Sequence, residues 1–250
     1  MNNDSIVDQG YWNLKYEKKK LNIVPKRHPI RKLIIRYIPQ GNGYTNCIEI
    51  GAYPCGYLGI FGELGYELNG IDMTDKIESI ELKKWIIENK WNYNILKKIN
   101  FLNFDTKDKY NIVYSIGFIE HFENWNEILL KHTELLKKDG YLLIVTPNFS
   151  GILQKAIHYY FDKENYKRHI IESMDPKKWT EILGKNYQVI FMGYFGGFFF
   201  WVDKQKGNIF KKIITMCIRI LGIVLTKLSI PIPNNKIYSP FCGLIVRKKL

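Results

Sequence analysis

The stretch Glu49-Ile50-Gly51-Ala52-Tyr53-Pro54-Cys55-Gly56 decides how this chain is read. A short apolar run, Asn46 to Ile50, leads into it, and a helix-period run, Tyr57 to Leu64, leads out to Gly65. A strand, a glycine-bearing turn and a helix therefore follow one another directly. Glycine at 51 and 56 lets the backbone approach a bound molecule where a Cβ would collide. The amides that open a helix have no acceptor within it. A second apolar run, Glu67 to Asp72, ends in Gly70-Ile71-Asp72. An acid about 20 residues past such a turn can accept hydrogen bonds from ribose hydroxyls. Together these residues predict a nucleoside held at the carboxyl ends of the strands.

Outward from this point, strand and helix signals alternate. Upstream, Pro29 suits a first helical position, Ile30, Leu33, Ile34 and Tyr37 share a face, and Pro39 and Gly41 end the run. Downstream come a helix within 76–89, a third strand within 94–101 and a fourth strand over 111–116. The next helix carries Ile128, Leu129, Leu135 and Leu136 on one face, with Gly140 as its predicted stop. A fifth strand covers 141–146, a helix opened by Asp175-Pro176 runs to about Leu183, and strands over 187–194 and 242–247 complete the pattern. Strands alternating with helices mean βαβ units and a parallel sheet. The expected fold is α/β: a doubly wound, mostly parallel seven-stranded sheet with an antiparallel last strand, helices on both faces, and a helical insertion before that strand. One domain is expected over 1–250, with an N-terminal helical cap at 1–40, a cofactor-binding core at 44–150, an acceptor-recognition region at 151–186 and an aromatic and helical insertion at 195–240.

The identity of the nucleoside turns on Glu49. A nicotinamide site usually shows G-x-G-x-x-G to seat a pyrophosphate, but Tyr53 and Pro54 interrupt that pattern and Glu49 would repel the phosphates. A carboxylate there suits the cationic amino-acid end of a sulfonium cofactor. At these residues the sequence resembles class I S-adenosylmethionine-dependent methyltransferases. Glu49, Gly51 and Gly56 match the family's first motif and Asp72 its second strand-end acid. The segments Tyr110 to Phe122 and Leu136 to Asn148 also look like the family. The resemblance covers about 44–150 well, and 187–248 by strand pattern only. It implies S-adenosylmethionine as cofactor, leaving S-adenosylhomocysteine as product. It places Ala52, Tyr53 and Met73 beside the motif glycines and Asp72, and puts Ser115 and Gly117 at the fourth strand end. Asn100 with Phe101 stands where the family often carries an acid for the adenine amine; Asp105 is the alternative.

A hydroxyl acceptor needs to lose a proton, and histidine is the usual base near neutral pH. His121, in Glu120-His121 just past the fourth strand, is the first candidate, with a structural loop histidine as the bland alternative. Glu120 is a second candidate, or else a cap for the following helix. His169, in Lys167-Arg168-His169, lies in the variable region where such enzymes recognise acceptors, or on a solvated helix face. His158 is a weaker third, and Asn148 could hydrogen-bond the acceptor. Tyr11, Trp12 and Tyr16 form an aromatic cluster that either covers the cofactor or packs on the sheet edge.

The chain has 250 residues and is 46% hydrophobic, enough for one sizeable core. Thirty-seven Lys and Arg against 24 Asp and Glu give a net charge of +13, which suits an anionic partner as well as a plain lysine-rich surface. Cys47, Cys55, Cys217 and Cys242 form no Cys-x-x-Cys pair and sit at no zinc-finger spacing, so no metal is expected. They read as thiols of a cytoplasmic protein. The polar start is no signal peptide, and no apolar run reaches membrane-spanning length.

The insertion holds the aromatic run Phe195 to Trp201. It also holds an apolar stripe through Ile213, Met216, Cys217, Ile220, Leu221, Val224, Leu225 and Leu228, opposed by Lys212, Thr215, Arg219 and Thr226. Packing on the rim of the domain's own pocket is the first expectation; a homodimer or a peripheral membrane contact through 209–228 are the others. The functional expectation is O- or N-methylation of a small polar acceptor, anionic or sugar-type, with surface-glycan precursors suggested by resemblance alone. A methyltransferase acting on RNA or another nucleic acid is the alternative within the class. No base-flipping motif follows the fourth strand, where Ser115 to Phe118 stand, so DNA is not expected. A non-catalytic or NAD-binding Rossmann-type protein is the alternative outside it.

Overall fold

The computed structural model describes residues 5–198, 209–227 and 233–249. Its elements run α1 (Gln9–Tyr16), α2 (Pro29–Tyr37), β1 (Asn46–Ile50), α3 (Leu58–Glu63), β2 (Glu67–Asp72), α4 (Ile80–Glu88), β3 (Tyr93–Lys98) and β4 (Tyr110–Ile116). They continue as α5 (Trp125–Glu134), β5 (Leu136–Pro147), α6 (Ile152–Phe161), α7 (Lys163–Lys167), α8 (Pro176–Leu183), β6 (Tyr187–Phe195), α9 (Ile209–Lys227) and β7 (Phe241–Lys248).

The sheet has seven strands in the order β3-β2-β1-β4-β5-β7-β6. β1 pairs in parallel with β2 and β4, and β7 runs antiparallel to both β5 and β6. This is the expected doubly wound topology. The order reverses at β1, so the crevice at the carboxyl ends of β1 and β4 is the place for a ligand.

The pleat of β1 shows how the sequence builds two cores. Cys47 faces a cluster with Ile34 of α2, Leu58 and Phe61 of α3 and Leu82 and Ile86 of α4. Ile48 and Ile50 face the opposite cluster, with Ile128 and Leu129 of α5 and Trp179 and Leu183 of α8. Successive side chains of a strand point to opposite faces, so five residues serve both cores. Both α2 and α8 begin as their sequences dictate: His28 and Asp175 accept the second amide of each helix, and Pro29 and Pro176 occupy first-turn positions.

Two expectations fail in instructive ways. α5 ends at Glu134, and Leu136 already pairs with Tyr110 in the sheet. Gly140 is therefore no helix stop. It lies inside β5 where a Cβ would sit 2.9–3.1 Å from the carbonyls of Lys137, Asn111 and Tyr110, a close approach only glycine allows. The insertion is the second case. Phe199 to Trp201 and Leu228 lie outside the described residues. α9 packs on α6 through Ile218, beside Ile157 and Leu153. The predicted stripe residues Ile213, Met216, Ile220, Leu221 and Val224 stay exposed, at 43–56%. None of the described residues of α9 lines the cavity described below, so the pocket-rim expectation is not met.

Candidate functional site

A cavity of about 620 Å³ opens at the carboxyl ends of β1, β2 and β4. Its size suits a nucleoside cofactor with a small second ligand. The loop 51–57 forms its floor. Gly51 has φ +73°, and a Cβ there would stand 2.7 Å from the Phe118 ring. At Gly56 a Cβ would meet the Asn22 carbonyl at 3.0 Å and Val24 at 3.2 Å. Both glycines are needed so that the loop clears its neighbours and leaves the cavity open. The helix that follows is a short six residues, so the site rests on loop geometry and side chains.

Asp72 ends β2 with its carboxylate already oriented. The Tyr53 amide donates to one oxygen at 3.0 Å and the Thr74 amide to the other at 3.0 Å. Each oxygen keeps lone-pair capacity for a further donor. Burial lifts its pKa to about 6, against the pull of the amides of Thr74, Tyr53 and Met73.

Glu49 is 2% exposed. The Tyr114 hydroxyl donates to it at 3.1 Å. Burial pushes its carboxyl well above the usual range, opposed by that hydroxyl and raised further by the charge of Asp72. A buried acid lining a cavity suits a cationic ligand group, and the amino group of S-adenosylmethionine has the right charge. The lining fits that cofactor: two buried acids, Glu49 and Asp72, stand where an ammonium and a ribose diol could be held. Asn100, Phe101, Met73, Ala52, Tyr53 and Gly117 line the same cavity.

Asn100 spends its side-chain oxygen on the Leu102 amide at 3.0 Å. Asp105, its alternative, is exposed and away from the cavity. Ser115 does not reach it either: it is buried in β4, paired with Ile50, and its hydroxyl finds no partner.

The opposite end of the cavity is built by a turn of 3-10 helix, Ile119–His121, which follows β4. Glu120 is fully buried and does not cap α5, whose N-terminal residue Asn124 makes no side-chain cap. Neither of its carboxylate oxygens finds a hydrogen-bond partner of acceptable geometry. Burial raises its pKa to about 8. His121 donates from Nδ1 to the Arg168 carbonyl at 2.6 Å, and His169 from Nδ1 to the Asn165 carbonyl at 2.6 Å. A carbonyl can only accept, so each ring keeps its Nε2 lone pair. The two rings lie 4.7 Å apart. Burial lowers the His121 pKa to about 4 and that of His169 well below the ordinary value, the latter also through His121.

The other two polar candidates are structural. His158 is fully buried against Phe149, ring centroids 4.1 Å apart, and pairs with Asp162. Asn148 donates to the carbonyls of Lys236 and Ser239 at 2.8 Å and accepts from Ser150 and Gly151. It staples the 236–239 segment to β5 and does not line the cavity.

The N-terminal segment forms the remaining wall. Ser5 bridges to Phe122, and the Ile6 amide donates to the His121 carbonyl at 2.8 Å. α1 then carries Trp12 to within 5.2 Å of the His121 ring and Tyr16 to within 5.2 Å of the Tyr53 ring. The aromatic cluster covers the cavity and does not pack on a sheet edge. Lys15 and Arg168 add positive charge to this wall, Arg168 lying 4.1 Å from the Tyr11 ring centroid.

The seven-stranded order with a reversed last strand, the acid-and-glycine turn after β1 and the Asp72 carboxylate define a class: α/β methyltransferases that use S-adenosylmethionine. The family model described as a methyltransferase domain matches residues 24–187, and the chain belongs to that family. Among solved structures it is similar to a Bacillus halodurans C-125 protein described as a candidate methyltransferase, at 17% identity and a TM-score of 0.58, covering 88% of this chain and 98% of that one. It is also similar to a SAM-dependent methyltransferase from Archaeoglobus fulgidus, at 21% identity and a TM-score of 0.51, covering 96% and 100%. A third is coclaurine N-methyltransferase bound to N-methylheliamine and S-adenosylhomocysteine, at 12% identity and a TM-score of 0.55, covering 88% and 72%. At these identities the likeness is one of fold. No curated protein sequence matches the chain significantly.

Proposed function

We propose that this methyltransferase acts on a hydroxyl of a small anionic acceptor of the phosphorylated or sugar type, with surface-glycan precursors as the class to test first. The observation that carries the reading is that one cavity holds both halves of a reaction. Glu49 and Asp72 line one end, Glu120, His121 and His169 the other, and Lys15, Lys19, Lys20 and Arg168 supply cations around it. A fold alone never names an acceptor; the charges around the cavity support an anion.

S-adenosylmethionine supplies an electrophilic methyl group, whose bond to sulfur breaks, with its electron pair returning to sulfur, as the acceptor oxygen bonds to carbon. The residues of this chain do the positioning. Asp72 orders the ribose, Glu49 balances the cofactor ammonium, and the Gly51 loop lets the nucleoside lie close. At the other end His121 and His169 each present an Nε2 lone pair, their Nδ1 hydrogens being held by backbone carbonyls. A hydroxyl entering there donates its hydrogen to His121 Nε2 and gains nucleophilic character at oxygen.

The exposed apolar face of α9 lies outside this chemistry. Among the described residues no helix is long and apolar enough to cross a membrane.

The test is a tritiated-methyl transfer screen over nucleotide sugars, phosphorylated metabolites, simple amines and RNA. Label in a phosphorylated or sugar hydroxyl supports the proposal. Label in RNA alone, or in amines alone, overturns it.

A further inference from the structure

The end of the cavity opposite Glu49 brings together one carboxyl group and two imidazoles. Both imidazoles have committed their Nδ1 hydrogens to backbone carbonyls, at 2.6 Å each. Neither Nε2 atom has a hydrogen-bond partner among the described residues. The buried Glu120 carboxylate finds none for either oxygen. One ligand atom from each of Glu120, His121 and His169 falls within 4.8 Å of the other two. Among the described residues none of the three side chains hydrogen-bonds another.

Such a grouping of a carboxyl and two imidazoles suits ligands of one ion. Metal–nitrogen and metal–oxygen bonds of about 2.0–2.2 Å place the donors of one ion roughly 3–4.3 Å apart. The second shell has the matching form, because a metal-binding histidine typically gives its other ring N–H to a carbonyl or carboxylate, which fixes the ring and aims the lone pair. Two backbone carbonyls do this here. They belong to Arg168 and Asn165, the latter itself tied to Asp162 through its side chain at 3.1 Å.

We propose that Glu120, His121 and His169 bind one divalent first-row transition-metal ion, with its remaining coordination positions open to the cavity. Two imidazoles and one carboxylate favour zinc, iron, cobalt or manganese over calcium or magnesium. This deepens the function proposed above and rests on it. The open positions would take an acceptor oxygen, and Lewis acidity would replace the hydrogen bond to His121 Nε2, whose lone pair would then be held by the ion. The acceptor O–H bond then breaks with its proton passing to water, and the oxygen lone pair forms the new bond to methyl carbon. The nearby cations are parked on aromatic faces: Arg168 over Tyr11, and Lys15 5.3–5.4 Å from the ring centroids of Trp12 and Tyr11.

The experiment uses the full chain, stripped with chelator, dialysed and saturated with S-adenosylhomocysteine. Zn²⁺ and Mn²⁺ are titrated calorimetrically, and Co²⁺ by its visible d–d absorption. The expected result is one ion per chain. His169→Ala and Glu120→Gln should each weaken binding by more than about 100-fold, since losing a second-shell partner alone costs 10–100-fold. Unchanged thermal stabilisation by S-adenosylhomocysteine shows that each variant is folded. His121→Ala is a third variant. No binding of any of the three metals at millimolar concentration to the folded wild-type chain overturns the proposal. So does binding that the His169→Ala and Glu120→Gln variants leave intact. Failure of the methyl-transfer screen with intact metal binding would instead count against the acceptor reading, so the two failures are distinguishable.

Discussion

Asp72→Asn is the sharpest perturbation the structure offers, because the carboxylate performs two jobs that two measurements separate. It receives the Tyr53 and Thr74 amides at 3.0 Å each, and it faces the cavity where a ribose diol would lie. Asparagine keeps the shape but has one acceptor oxygen. Whichever way the amide turns, one buried backbone N–H loses its acceptor, at about 1–3 kcal/mol. For a chain of 250 residues, 1 kcal/mol moves Tm by about 2–4 °C. The unliganded variant should therefore melt at least about 2 °C lower. The ribose loses a charge-assisted hydrogen bond, worth about 1.5–3 kcal/mol. At 1.4 kcal/mol per tenfold, the Kd for S-adenosylhomocysteine should rise roughly 10- to 140-fold. Calorimetric titration measures the second effect, and differential scanning calorimetry without ligand the first. A lowered Tm with an unchanged Kd would refute the ribose role and leave Asp72 as a staple for the loop.

Glu49 gives a pH signature. Burial raises its pKa in the folded chain, so between about 4.5 and that raised value the unliganded protein holds a proton the unfolded chain releases, and stability from this group is lost as pH rises through that window. The cofactor ammonium favours the carboxylate, so binding should release a proton and tighten with rising pH; Asp72, Tyr114, Cys55 and Tyr57 face the same group. Calorimetry in buffers of different ionisation enthalpy reads the released proton, and Glu49→Gln should abolish it. Gly51→Ala forces a left-handed residue at φ +73° and a Cβ 2.7 Å from Phe118; it should cost about 1–2 kcal/mol or more in stability and weaken S-adenosylhomocysteine binding, whereas an unchanged thermal melt would show the loop is free to shift. His121→Ala should cut turnover by roughly 100-fold or more with cofactor affinity retained, and near-normal turnover would make it structural. Trp12→Ala removes a ring 5.2 Å from His121, worth about 0.5–1.5 kcal/mol; acceptor KM should rise about 2- to 12-fold, and an effect on cofactor Kd alone would place the acceptor elsewhere.

Most of the fold was legible because β1, β2 and β4 are short apolar runs closed by glycine or acid, and α2 and α8 carry their caps in the sequence. The start of β5 was not, since Leu135 and Leu136 continue a helical face and only sheet pairing with Tyr110 draws Leu136 into the strand. The end of the cavity lined by Glu49, Gly51 and Asp72 was readable because its two acids, 23 positions apart, close adjacent strands. The other end was half readable. His121 follows a strand end, but nothing local says that His169, 48 residues later, meets it. Asn148 and His158 have the right chemistry for ligands, and only their hydrogen bonds and stacking show them spent on structure. The covering role of α1 was hidden because its residues are half-exposed and show no deep apolar face.

That last feature has a practical use. α1 is eight residues long, with none buried, far below the roughly 12–15 residues at which an isolated helix becomes marginally stable. Its order is borrowed from what it touches: the Asp8 cap, the Lys76 ammonium donating to the Tyr16 carbonyl at 2.8 Å, and whatever fills the cavity. Amide hydrogens over 9–16 should exchange among the fastest in the empty enzyme and slow once the cavity is filled. Deuterium uptake of that single peptide thus becomes a gauge of occupancy that needs no turnover and no label, and extracts can be fractionated against it until the natural acceptor is the compound that makes the gauge move.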